Sequence, residues 1–268
     1  LRSSGVGVRL FAKFPGFPER DPTAGVGGGA MHPRIRVLLA AVSASVLGYG
    51  LYKDTTQLPL AHEGAVLGKG IFLTYQTEII LTTYFCLELA AASSNLLGAP
   101  LKGLDRFTTW ASPLAGGFGL YLTSAFYAVC WFNEVFQRDV VEKFEAQGIP
   151  MRFICHLIHG PSSVLVLLDT LAKDGDTVRA CVGSAGSYFK YFVAFGVWYV
   201  FVVRWNYSVT KKWVYPFMDD FTADWQHWAF YCLSFGWIWL LAVLHRSVMV
   251  KVVAGKKEAG KEAKSKTK

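Results

Sequence analysis

Residues 71–92 read IFLTYQTEIILTTYFCLELAAA. As a helix rising 1.5 Å per residue this stretch is about 33 Å long, enough to cross a hydrocarbon core of about 30 Å. It is apolar at most positions yet carries Thr74, Gln76, Thr77, Glu78, Thr82, Thr83 and Glu88. Polar groups at such depth are costly and face a bundle interior or a wet cavity rather than lipid. Five further stretches of similar length and character lie near 35–52, 113–135, 149–171, 187–205 and 226–246. Connectors such as Gly98-Ala99-Pro100 and Lys173-Asp174-Gly175-Asp176 separate them. A backbone exposed to lipid must satisfy its own hydrogen bonds, so these segments are helices. The expected fold is an all-α membrane protein, a bundle of six transmembrane helices with irregular basic N- and C-terminal extensions.

Composition agrees with this reading. The chain has 268 residues, 53% of them hydrophobic and 17% charged, against about 25% charged in a soluble domain. The net charge of +8 sits at the ends. Residues 1–36 hold six basic and two acidic side chains, and residues 246–268 hold eight and two, leaving the middle at −2. A nucleic-acid-binding domain spreads its basic residues over a folded face, so no nucleic acid is expected as a partner; membrane lipids are. The abundance of Phe, Trp, Tyr and Val in the middle excludes disorder there. The chain therefore divides into a Gly/Pro-rich extension (1–34), a six-helix domain (35–250) and a Lys-rich tail (251–268). Five scattered cysteines show no paired spacing, which indicates neither a disulfide framework nor a zinc site. Residues 1–18 contain Arg2, Arg9 and Lys13 and no acid, as the remnant of an organelle transit sequence does, with Met31 as an alternative start. This leader favours the mitochondrial inner membrane over the endoplasmic reticulum or plasma membrane. Arg34, Arg36, Arg246 and Lys251 flank the first and last spans, which orients both termini toward the cytoplasm-like or matrix-like side.

With that topology the second and fourth spans both start at the opposite, outer face. Thr74 lies about 5 Å into its span and His159 about 15 Å into its own, so a hydroxyl and an imidazole can share one pocket. A Thr hydroxyl becomes a nucleophile when an adjacent base takes its proton, and His is the usual base near neutral pH. Glu78 follows Thr74 by one helical turn, and His156 precedes His159 by one turn. The same His156-Leu157-Ile158-His159 spacing also admits a metal reading, with Glu78, Asp169 and His245 as further ligands. The alternative for Thr74 is a hydroxyl bonded to its own helix backbone. Lys212-Trp213-Val214-Tyr215-Pro216-Phe217 precedes the sixth span on the same face; its rings are expected in an interfacial aromatic belt, with Trp213 and Tyr215 shaping the pocket rim.

These pieces, in this order, resemble the androgen-induced-protein family, which includes the androgen-dependent regulator of tissue-factor-pathway inhibitor. The likeness rests on Gly70-Ile71-Phe72-Leu73-Thr74, on Leu104-Asp105-Arg106, on His156-Leu157-Ile158-His159 and on Trp213-Val214-Tyr215-Pro216-Phe217. It covers about residues 35–246. The resemblance implies a six-span membrane hydrolase that cleaves fatty acid esters of hydroxy fatty acids without a cofactor. It also implies Thr74 as nucleophile and His159 as base; for such a reaction the neighbouring Thr77 or His156 is the expected donor to the oxyanion. Gly160-Pro161-Ser162 departs from the family pattern: Pro161 cannot close a helix hydrogen bond, which predicts a kink just past His159. The Lys-rich tail is also foreign to the family. A second reading is an accessory subunit of a large organellar complex on the same scaffold, meeting other subunits through residues 1–34 and 251–268.

Overall fold

The computed structural model describes residues 31–58 and 64–254, and among them there is no strand. Six helices are long and apolar enough to cross a membrane: Pro33–Gln57, Leu73–Leu96, Lys102–Trp131, Met151–Ala172, Ala185–Thr210 and Asp224–Val253. The chain is an integral, multi-pass membrane protein. Large apolar side chains such as Leu38, Val197, Phe201, Leu233 and Leu244 stand exposed on the outside of the bundle, where lipid covers them. Residues 1–30 and 255–268 lie outside the described residues, and with them most of the surface expected to meet other subunits.

The third helix differs most from its expected bounds, starting at Lys102 rather than near 113. Asp105 and Arg106 lower the hydropathy of that first turn, but Asp105 is neutralised from another helix. Arg36, on the first span, bonds Asp105 Oδ1 at 2.6 Å and Glu88 Oε1 at 2.7 Å. Lys173 completes this charge cluster, its ammonium bonding Glu88 and lying 3.5 Å from Asp169 Oδ1. Tyr84 donates to Asp169 Oδ2 at 2.6 Å. Of the four cations that flank the outermost spans, Arg36 is thus held inside the protein, and Arg246 donates to the Gly183 carbonyl at 2.6 Å.

The third helix is also the centre of the bundle, packing on the second, the fourth and the sixth. Gly116, Gly117 and Gly119 permit this. A Cβ on Gly116 would lie 2.3 Å from the His245 ring, and one on Gly119 would lie 3.0 Å from the Ser162 carbonyl. Small residues at helix contacts let backbones approach closely in membranes. At its C-terminal end the helix widens into a π-helical turn, Phe126–Trp131.

The fourth span breaks where Pro161 predicts, into Met151–His159 and Pro161–Ala172 with Gly160 between. The third helix holds the break together, since Thr123 Oγ1 donates to the His159 carbonyl at 2.6 Å and Ser162 Oγ donates to Gly119 O at 3.1 Å.

Candidate functional site

The second span begins abruptly. A 3-10 turn, Gly68–Ile71, leads to an extended Phe72 that offers no capping side chain. The first turn of any helix leaves backbone N–H groups without intrahelical partners. Here Leu73 N–H finds the Tyr215 hydroxyl at 3.3 Å. Thr74 is the second residue of the helix, half-buried, and lines a cavity of about 110 Å³.

His159 lines the same cavity. It closes the Met151–His159 segment, about 12 Å beyond its start by helical rise, and three contacts, two of them to the ring, fix the residue. The ring stacks on Phe126 of the π-helical turn, with centroids 3.8 Å apart and planes 9° apart. Its backbone carbonyl is held by Thr123, and its Nδ1 lies 2.8 Å from the Cys155 carbonyl oxygen. A carbonyl can only accept, so Nδ1 carries the proton; in the neutral ring Nε2 then holds a lone pair.

Tyr215 is the third contributor. The Trp213–Phe217 stretch turns inward rather than lying in an interfacial belt, contrary to expectation. Trp213 is 8% and Val214 1% exposed, because Trp213 is sandwiched between Tyr207 and His227 with ring centroids 4.0 and 4.1 Å away. This buries the strand-like stretch and carries Tyr215 into the cavity wall. Burial pushes the Tyr215 phenol well above its ordinary range, so it keeps its proton at neutral pH. Leu122, Phe217, Phe230 and Phe235 supply apolar wall, and Tyr121, Tyr199, Tyr231 and Ser234 add hydroxyl groups to it.

Of the residues singled out in the sequence, Thr74, His159 and Tyr215 therefore line one cavity, and Thr77, Glu78, His156 and Trp213 do not. Thr77 is fully buried with an unpartnered hydroxyl. Glu78 faces the first span, its Oε1 3.2 Å from where a Cβ on Gly50 would sit. His156 is exposed, and its Nδ1 lies 2.7 Å from the Tyr127 hydroxyl. The groups named for a metal site disperse likewise: Asp169 is held by Tyr84 and Lys173, and His245 by Thr170 at 2.7 Å. Among the described residues no three His, Cys, Asp or Glu side chains form a metal-ligating group. Sequence reasoning missed Phe126 and the tyrosines at 121, 199 and 231. The available signal was a phenol hydroxyl in the middle of an apolar span, which passes unnoticed when Tyr is counted as hydrophobic.

Residues 35–249 match the FAR-17a/AIG1-like protein family. The chain belongs to that family. No curated protein and no solved structure matches it. The FAR-17a/AIG1-like region contains every residue that lines the cavity, from Leu73 to Phe235. It also takes in the charge cluster from Arg36 to Lys173.

Proposed function

We propose that the cavity is the active site of a membrane-embedded threonine hydrolase acting on fatty acid esters of hydroxy fatty acids. The observation that carries this reading is that Thr74 and His159, from separate helices, line one cavity with the lone pair of a neutral His159 on Nε2. In the reaction Thr74 Oγ attacks the ester carbonyl while His159 Nε2 takes the hydroxyl proton. Collapse of the tetrahedral intermediate breaks the ester bond. The departing alkoxide takes the proton from His159, and the hydroxy fatty acid leaves. Water, deprotonated by the same nitrogen, then attacks the acyl-threonine, and the proton passes from His159 to Thr74 Oγ as the fatty acid leaves.

The cavity volume bears on how the substrate sits. About 110 Å³ is well below the roughly 300–1,000 Å³ of sites that enclose a whole ligand. The ester centre occupies the cavity, and the acyl chains leave it past Val129, Phe217 and Phe230 toward lipid.

A fluorophosphonate probe tests this reading. The folded wild-type protein is expected to label covalently, Thr74→Ala to abolish labelling, and His159→Gln to slow it strongly. A folded wild-type protein that the probe never labels overturns the proposal.

A further inference from the structure

A hydrolase of this kind needs a donor for the negative oxygen of its tetrahedral intermediate, and removing such a donor typically costs a factor of about 10²–10³ in kcat. The two donors expected from the sequence, Thr77 and His156, are outside the cavity. The remaining polar groups of the lining can be taken in turn. Tyr121 and Ser234 face each other, as Tyr199 and Tyr215 do, and the Tyr231 hydroxyl, buried without a hydrogen-bond partner, faces the Arg204 guanidinium. The Cys130 thiol is a weak donor. Among these hydroxyls Tyr215 is the one bonded to the helix start that carries Thr74, and Tyr199 is the one that faces it.

Both have features that packing alone does not account for. Tyr215 Oη already accepts the Leu73 N–H, so its own proton points elsewhere. Leu73 directly precedes Thr74, so this bond ties the phenol oxygen to the helix start that carries the nucleophile. Tyr199 is 2% exposed, and its hydroxyl is buried with no hydrogen-bond partner. It faces the Tyr215 hydroxyl without meeting hydrogen-bond geometry. Leaving a buried hydroxyl unsatisfied costs about 1–3 kcal/mol. That penalty disappears when an anionic oxygen occupies the cavity that both residues line.

Resting on the hydrolase reading, we propose that the Tyr199 and Tyr215 hydroxyls form the oxyanion site, donating to the former carbonyl oxygen while Thr74 is bonded to the acyl carbon. No proton is transferred in this role. Each phenol keeps its hydrogen and shares it most strongly in the tetrahedral state.

Tyr199→Phe and Tyr215→Phe keep the rings and remove the donors. Each is expected to lower kcat by about 10²–10³-fold, with KM within about threefold of wild type. Each should also weaken a trifluoromethyl ketone analogue, which forms a tetrahedral adduct with Thr74, by a similar factor. A non-hydrolysable ether analogue should bind unchanged. Phenylalanine variants with kcat within threefold of wild type overturn the oxyanion assignment. So does a parallel loss of affinity for ketone and ether with a lowered melting temperature, since that marks a structural role. If wild type labels with fluorophosphonate and these variants stay active, only this inference fails. If wild type neither labels nor turns over, both fall.

Discussion

Replacing Lys173 by Met removes a charge from the buried cluster around Glu88 while keeping an unbranched apolar stem. Lys173 is 2% exposed, bonds Glu88 and lies 3.5 Å from Asp169. Coulomb's law at an effective dielectric constant of about 20 gives about 5 kcal/mol for the 3.5 Å contact alone, before desolvation. After the change, Arg36 is the cation left in this cluster against Glu88, Asp105 and Asp169. Breaking a buried pair by removing one partner costs about 3–5 kcal/mol, because the other charge stays buried and uncompensated. At about 2–4 °C per kcal/mol for a chain of this size, the melting temperature should fall by about 6–20 °C. Thermal unfolding of the detergent-solubilised protein, followed by Trp fluorescence and by survival on gel filtration, reads this directly. The logic also demands a partial rescue. Lys173→Met combined with Asp169→Asn should be more stable than Lys173→Met alone, because the orphaned carboxylate is gone. A single variant melting within about 2 °C of wild type, or a double variant less stable than the single one, would refute the reasoning.

Glycine substitutions should separate contacts from open positions: Gly116→Ala drives its methyl into the His245 ring and should cost about 1–3 kcal/mol by overpacking. Gly236→Ala meets nothing within 4 Å and should be neutral or stabilise by up to about 1 kcal/mol, both read by melting temperature. Glu78→Gln removes a carboxylate whose two oxygens have no hydrogen-bond partner. It should shift stability by less than about 1 kcal/mol, in contrast to Lys173→Met, and a melting temperature depressed as far as in that variant would sink this view. Burial pushes the Cys181 thiol up to about 11, so at pH 8 only about one molecule in a thousand carries the thiolate that alkylates. Maleimide modification of Cys181, followed by mass spectrometry of the folded protein, should be slow and should speed up as pH rises toward 11.

The six spans were legible because span length and apolar content are local properties of the chain. The start of the third span was not. Asp105 looks prohibitive in a membrane helix until Arg36, distant in sequence, is seen beside it. Thr74 and His159 stood out as polar groups in apolar segments, and Pro161 announced the break after His159. Tyr215 was expected at the pocket rim, but the burial of Trp213 away from the cavity was hidden, since an aromatic-rich loop before a span reads equally well as a belt or as packing. Tyr199 was hidden for another reason: its ring satisfies every hydrophobic count, and only its unpartnered hydroxyl marks it.

By itself the sequence determined the number of crossings, the helical class, the charge at the two ends and a short set of polar residues too costly to face lipid. These follow from hydration and from the backbone's need for hydrogen bonds, which act segment by segment. Tertiary structure decided which of those residues meet. Thr74, His159 and Tyr215 converge while Thr77, Glu78, His156 and Trp213 point elsewhere, because each helix's rotation is set by what it packs against. Gly116, Gly117 and Gly119 draw the fourth and sixth helices onto the third, and Thr123 holds the broken fourth span beside it. A hydropathy pattern carries no record of that rotation, since it depends on side-chain volumes contributed by residues far away in the chain.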